Sequence, residues 1–430
     1  MTEPCRIIGV LDNGVKGLSA AALAHLRAAD LVIGTGHTLS LFSDYLSPRA
    51  VRRDLTGRLT EVPRWVDGAR AAAQRAVVLA TGDPLCHGIG EYLIGRLGLA
   101  ACEVIPNVST VQWACARLGL PWQHMTLCSV HGPDAGEWTP GAGPEHGLYA
   151  LRTAIAHHER LAVLTSPQNS PDRIARLLLA EGLTTTHTLA VAERLTSSEE
   201  RIIGPLSPTE AASRSFTAPN VLILLRHAPE EHKVLFGFPD HGFAQRKPHK
   251  GLITKREVRA ISLAYLGLRR DSIVWDIGAG SGAVGLEAAQ LCSTGHVYAA
   301  EKNAKDIAIA SKNRSKRAVH NYTLLHTEAP AGLDPWPSPD AVFIGGSGGR
   351  LSDLISYCLG RLRSGGSMVM NLVTIENLGA TVAALQALGT EWRAAQLQVA
   401  RSQPIQHKHR FVPENPVWII AAEKRMSHER

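Results

Sequence analysis

SIVWDIGAGSGAVGLEAAQ, residues 272–290, decides the reading of the second half of the chain. Its apolar opening predicts a buried strand ending near Asp276, GAGSG predicts a tight turn, and AVGLEAAQ predicts a helix. Glycines let the backbone turn sharply and let a ligand approach it. The helix that follows presents unpaired N–H groups at the same place. The spacing is Gly278-x-Gly280-x-Gly282 with an acid two residues before it, whereas a dinucleotide loop reads G-x-G-x-x-G. A pyrophosphate favours helix N–H groups with no anion beside them. S-adenosylmethionine has no phosphate, and its ammonium and sulfonium tolerate an acid such as Asp276. Nineteen residues past Gly282, at the end of the next predicted strand, Glu301 offers a carboxylate to both hydroxyls of an unphosphorylated ribose. The stretch therefore predicts an S-adenosylmethionine site bordered by Asp276, Gly278, Ala279, Gly280, Ser281, Gly282 and Glu301.

Working outward, further strands are predicted at His296–Glu301, Tyr322–His326, Ala341–Ile344 and Ser367–Asn371, with late strand-like segments at Ala395–Arg401 and Pro416–Ala422. The loop after Tyr322–His326 abuts the adenine in folds of this type, which makes Glu328 and Ala329 contact candidates. Gly345, Gly346 and Ser347 follow the next strand and open a backbone floor for a flat substrate. The Asn-Pro-Pro-Tyr of methylases acting on exocyclic base nitrogens is absent there. Upstream, Thr254 and Glu257 have the spacing of a capping box before a helix over Val258–Leu266.

The 430 residues suit two domains, and 45% apolar with 19% charged residues is an ordinary globular composition. No apolar run has the length of a membrane span. The opening MTEPCRIIGV carries neither a basic region nor a long apolar stretch, so no export signal is expected. Seven widely spaced cysteines without a C-x-x-C point to reduced thiols and a cytoplasmic protein. The net charge of +7 is uneven. Residues 1–245 hold 21 Lys/Arg and 23 Asp/Glu, a net of −2; the remainder holds 24 and 15, a net of +9. Such a surface attracts anions, whether nucleic acid or a small polycarboxylate. Of 19 histidines, His407 and His409 share a face if they lie on one strand, but spacing places no third ligand, so no metal site is expected.

The first 226 residues alternate strands (Arg6–Val10, Leu31–Gly34, Val77–Ala80, Glu103–Ile105, Leu161–Thr165, Val221–Arg226) with helices, which predicts α/β layers. The break TPGAGPEH, Thr139–His146, is read as a division into two lobes. Pattern is lost from His227 to Lys250, and residues 229–246 are read as a linker between domains over 1–228 and 247–430. In the first domain Gly82-Asp83-Pro84 follows a strand, Ser109-Thr110 opens the helix after the next one, and His131 follows a third segment, Ser129-Val-His131-Gly132.

In the second half, TKREVRA (254–260), WDIGAGSGAVGLEAA (275–289), FIGGS (343–347) and NLVTIENL (371–378) resemble the C-terminal precorrin-6 methylases of cobalamin synthesis, which also decarboxylate. The resemblance spans nearly all of 247–425 and implies a class I Rossmann-like methyltransferase in which Thr254 lies against the cofactor. In the first half, TGDP (81–84), PNVSTVQ (106–112), ARLGLPW (116–122), SVHG (129–132), LTSPQNSPDRIARLL (164–178) and AERLTSSEERI (192–202) resemble the N-terminal precorrin-6 methylases, within the class III tetrapyrrole methylases. That implies two α/β lobes holding a bent cofactor largely by backbone groups, with Gly82, Asp83, Pro84, Ser109 and Thr110 at its border. Many relatives open with G-x-G-P-G; here the loop is Gly9-Val-Leu-Asp12-Asn13-Gly14, so the substrate-side loop is expected to differ. Both halves in this order resemble the fused methylases of precorrin-6. They imply methylation of precorrin-6B at carbon 5 by the first half. The second half is implied to methylate carbon 15 and release CO₂ from the carbon-12 acetate, giving precorrin-8. The partner implied is a polycarboxylate tetrapyrrole, with neither nucleic acid nor membrane, and relatives of the second half form homo-oligomers. Substrate-contact candidates are Gly345, Gly346, Ser347, Lys250 and His131. Two other readings stay open: an RNA methyltransferase, and a chain in which only one half reacts while the other binds the tetrapyrrole.

Overall fold

A computed structural model describes residues 3–227, 234–246 and 253–425. Lys250 lies outside the described residues. Those residues fall into two compact units, one built from residues 3–137 and 157–227, the other from 138–156, 234–246 and 253–425.

The first unit contains two sheets. Strands β1 (Cys5–Val10), β2 (Leu31–Gly34), β3 (Val51–Asp54), β4 (Ala76–Thr81) and β5 (Cys102–Ile105) form a parallel sheet in the order β3-β2-β4-β1-β5. Its central strands β1, β2 and β4 are near-continuous apolar runs because both faces are covered; Ile7 and Ile8, successive on β1, belong to core clusters on opposite faces. The second sheet is mixed, in the order β6-β7-β10-β8-β9, from β6 (Thr126–Ser129), β7 (Arg160–Leu164), β8 (His187–Glu193), β9 (Arg201–Leu206) and β10 (Asn220–Arg226). The two-lobe expectation is met, but the division lies between β5 and β6. The TPGAGPEH break comes after β6 has already joined the second sheet.

The second unit is one seven-stranded sheet in the order β13-β12-β11-β14-β15-β19-β16. Strands β11 (Ile273–Ile277), β12 (His296–Glu301), β13 (Tyr322–His326), β14 (Ala341–Ile344) and β15 (Ser367–Leu372) are parallel; β19 (Val417–Glu423) runs antiparallel between β15 and β16 (Glu391–Leu397). The segment Ala395–Arg401, read from sequence as one strand, is the end of β16 and the start of a hairpin, β17 (Ala400–Ile405) and β18 (Lys408–Pro413). His407 sits in the hairpin turn, not on the strand with His409. Alternation along β11 sorts the core: Val274 packs on one face, and Trp275 and Ile277 on the other.

The stretch called a linker is, over its described part, docked on the second unit. Glu287, buried on the helix Ala283–Leu291, accepts the N–H groups of Gly237 (2.7 Å) and Phe238 (3.0 Å) and the Arg259 Nε–H (2.7 Å). Arg259, itself fully buried, donates onward to Phe238 O and to Thr254 O, both at 2.5 Å. The Arg317 guanidinium lies 3.9 Å from the ring centres of Phe238 and Phe243. A buried ion pair adds little net stability, but removing one partner costs about 3–5 kcal/mol, so this set specifies where the segment sits. The expected capping box is not formed. The helix Arg256–Leu266 has Lys255 at its N-cap without a side-chain cap, because the Glu257 carboxylate is held by Arg401 (3.0 and 2.5 Å).

Residues 138–156, assigned by sequence to the first domain, pack with the second unit. Thr323 Oγ1 donates to Gly141 O (2.8 Å), so its oxygen is left to accept from His296 Nε2 (2.8 Å), and His296 Nδ1 then accepts the Tyr149 hydroxyl (2.7 Å). This chain of bonds fixes the Nε2–H tautomer. Burial pushes the imidazole down to about 3. Its folded value lies below the unfolded one, so its contribution is complete above the unfolded pKa of about 6.5 and is lost as the solution is acidified toward 3. Nitrogen NMR should find His296 neutral, as the Nε2–H tautomer, at pH values near 5 where exposed imidazoles of about 6.5 are charged; a protonated ring there would show that the bond chain is not formed.

Candidate functional site

The parallel strands of the second unit end on one edge, the side on which open α/β sheets bind ligands. A cavity of about 890 Å³ occupies that edge. Thr254, Gly278, Ala279, Gly280, Ser281, Glu301, Glu328, Ala329, Gly345, Gly346 and Ser347 all line it, so most of the residues singled out from sequence are brought together. Two loops meet at its floor. Gly278 has φ +71°, and a Cβ there would stand 2.6 Å from Gly346 O and 2.7 Å from Gly346 N. The loops are anchored from below, Gly278 N–H to Ala300 O (2.9 Å) and Gly345 N–H to Ile277 O (2.8 Å).

Glu301 closes β12 beside this crossing. Its Oε2 accepts the Gly280 N–H (2.9 Å) and its Oε1 the Asn303 N–H (2.8 Å), so both oxygens are oriented and each keeps a lone pair. Glu328 is half-exposed and paired with Lys302 at 3.1 Å; Ala329 is buried beside it. Arg246 and Asp306, paired at 2.8 Å, also line the cavity, as do Asn371 and Glu414. Sequence reading did not single out these four as site residues. Arg246 falls in the presumed linker and Glu414 after a hairpin, so only folding brings them in. Asn371 opens the NLVTIENL motif and was within reach of motif reading.

Asp276 and Gly282 do not line the cavity. Asp276 shares the face of β11 that carries Val274, beneath the helix Ala283–Leu291, and is 1% exposed. Its Oδ2 accepts the Gly285 N–H (3.1 Å), and burial pushes the carboxyl up to about 7. It braces the turn from behind. Gly282 is the N-cap of the same helix, with φ +77°.

In the first unit the matching edge is built from backbone. Gly82, φ +72°, donates to Val10 O (2.7 Å), and a Cβ on it would lie 3.3 Å from Thr110 N. Asn107 Nδ2 donates to Gly9 O (2.9 Å) and Gly17 O (3.1 Å), tying the opening loop to the end of β5. The Ser109 hydroxyl accepts the Gln112 N–H in a capping box, and Asp83 Oδ1 accepts the Leu85 N–H (2.8 Å) to close a turn that leads into Pro84. Both side chains serve local structure. His131 stands on the second lobe, its Nδ1 donating to Thr165 O (2.9 Å). Among the described residues no three His, Cys, Asp or Glu are grouped to hold a metal ion, and no helix is long and apolar enough to cross a membrane.

Two methylase-type α/β units in one chain, the second with a glycine crossing and a carboxylate oriented on the cavity, define a tetrapyrrole methylase joined to a precorrin methyltransferase. Residues 5–208 match the family of tetrapyrrole (corrin/porphyrin) methylases, and residues 247–424 match the precorrin methyltransferase domain. The chain belongs to the precorrin-6Y C(5,15)-methyltransferase [decarboxylating] family. The member from Sinorhizobium sp is 30% identical over 423 residues, covering 96% of this chain and 94% of the relative. Cobalt-precorrin-6B C(15)-methyltransferase (decarboxylating) of Salmonella typhimurium is 39% identical over 179 residues, covering 41% of this chain and 92% of that protein. A solved structure of a precorrin-6y C5,15-methyltransferase from Geobacter metallireducens is 41% identical, covers 45% of this chain and all (100%) of that one, and has a TM-score of 0.43.

Replacing Gly278 by alanine should cost the fold dearly, since it imposes both the left-handed backbone and the contact with Gly346. Denaturant unfolding of Gly278→Ala should show a loss of about 2 kcal/mol or more. A loss below about 0.5 kcal/mol, the level of a neutral surface change, would contradict the crossing.

Proposed function

We propose that this chain methylates precorrin-6B at carbons 5 and 15, using S-adenosylmethionine, and removes CO₂ from the carbon-12 acetate to give precorrin-8. The domain over residues 1–228 is assigned carbon 5. The domain over 247–430, together with the docked segment before it, is assigned carbon 15 and the decarboxylation. The observation that carries the reading is Glu301: a carboxylate pinned by two backbone N–H groups, with lone pairs remaining, beside a G-x-G-x-G loop on a cavity of about 890 Å³. Names of the relatives along the whole chain support the substrate and the two carbons.

The residues present fit the methyl donor. Glu301 would hold the ribose hydroxyls, Gly278 to Ser281 and Thr254 would line its length, and Glu328 and Ala329 would border the adenine. In the first unit Gly82, Asp83, Pro84, Ser109 and Thr110 would border a second one. When bound, S-adenosylmethionine supplies an electrophilic methyl group. The enamine-like carbons of a reduced tetrapyrrole are nucleophilic themselves, so the protein is needed for orientation and for keeping water out. Gly345, Gly346 and Ser347 offer a side-chain-poor floor for the flat ring in the second unit, and His131 is a polar group for substrate in the first. The basic excess of the second half, +9, suits a substrate with many carboxylates. Seven unpaired cysteines accord with a reducing compartment, the cytoplasm.

Two measurements test this. Gly280→Leu should abolish carbon-15 methylation and CO₂ release while carbon-5 methylation continues, so mass spectrometry of the product should find one added methyl in place of two; loss of both together would refute separate sites. For cofactor affinity, Glu301→Gln should weaken S-adenosylhomocysteine binding about tenfold or more, because the amide turns a donor toward a backbone N–H. Asp276→Asn, behind the turn, should change it by less than about threefold, and a larger effect there would return Asp276 to the cofactor's first contacts.

A further inference from the structure

The cavity of the second unit also holds a side chain with no task in the reading above. Asn371 sits near the end of β15 and lines the cavity with Thr254 and Lys255. Its Oδ1 accepts from Ser262 Oγ at 3.0 Å, and Ser262 is fully buried on the helix Arg256–Leu266. The amide plane is therefore fixed. Its Nδ2 is shielded from solvent and has no hydrogen-bond partner. A shielded amide donor without an acceptor costs free energy, and such a group calls for an explanation.

Position separates this group from the nucleoside end. From Glu301 on β12 the sheet runs through β11 and β14 to β15, three strand spacings or about 14 Å. A ribose held at Glu301 leaves Asn371 unsatisfied. The residues just beyond it are unusual in exposure. Val373, on the cavity lining, is 69% exposed and Ile375 is 85% exposed. Between them Thr374 caps the helix Ile375–Ala387, accepting the Asn377 N–H at 3.3 Å, so the turn is built and both apolar side chains are presented outward by a set backbone. At this end Glu414 and Glu257 share the guanidinium of Arg401, at 2.7 and 2.5 Å, and the positive charge left to meet a substrate is that of Lys255, exposed at the start of the facing helix.

We propose that this end is the specificity pocket for the tetrapyrrole, in which a local opening of the lining bares Asn371 Nδ2 to a substrate carboxylate oxygen while Val373 supports the apolar face of the ring. The inference rests on the proposed function. It adds a fixed amide donor as the group that selects a carboxylate-bearing substrate arm.

The test uses the full chain, with CO₂ release reporting the second unit and calorimetry with S-adenosylhomocysteine reporting the cofactor end. Asn371→Ala should raise KM for the tetrapyrrole about tenfold, and Asn371→Asp should raise it further by setting carboxylate against carboxylate. Affinity for S-adenosylhomocysteine should stay within about threefold in both, which also certifies the fold of each variant. Val373→Ser, at an exposed position that does not threaten folding, should raise KM about threefold with an unchanged melting temperature. An unchanged KM in the Asn371 variants overturns the proposal. So does a fall in S-adenosylhomocysteine affinity by the same factor as KM rises, since the amide would then serve the cofactor's own carboxylate. A wild-type chain that takes up no S-adenosylhomocysteine would fail the proposed function itself, and that is read before any variant is made.

Discussion

Where the backbone at Gly278 passes Gly346, two loops come closer than any side chain permits, and the ligand edge of the seven-stranded sheet is organised around that crossing. The contact requires glycine twice over, for the left-handed φ of +71° and for the missing Cβ. Each loop is fixed to the strand ends beneath it, so the floor is rigid before anything binds. Glu301 is oriented by the N–H of Gly280 in the same turn. Floor geometry and carboxylate direction are thus one constraint, and preorganisation of this kind lowers the ordering cost of binding.

A second set of interactions ties that edge to chain arriving from the amino-terminal side. Glu287 and Arg259, both without solvent exposure, hold Gly237 and Phe238 from one side and Thr254 from the other. The segment 237–246 is therefore part of the carboxyl-terminal unit, and it delivers Arg246 to the cavity lining. A buried salt bridge contributes more to where things sit than to net stability. Here it sets the position of the chain that lines the cavity at Thr254.

Hydrogen bonding also shows what several motif residues do for the local fold. Ser109 and Asp83 spend their side-chain oxygens on the N–H groups of Gln112 and Leu85. Asp276 spends one on Gly285. Such residues recur in motifs because they shape turns, and the turns then present main chain.

The sequence by itself determined the element types and the turn chemistry. Buried strands read as apolar runs, the G-x-G-x-G turn and its spacing to Glu301 followed from local rules, and collinear motifs carried the two-part organisation. These are short-range properties, set by backbone conformation and by the chemistry of adjacent residues. Tertiary structure alone decided the rest. It turned Asp276 under a helix because β11 alternates faces, drew Glu257 from its helix cap to Arg401 some 144 residues away, and packed Trp138–Ala156 with the second unit. It also seated Arg246, Asp306 and Asn371 on one cavity. Those outcomes depend on partners distant in sequence, and no local pattern encodes which partner a charged or amide group will find.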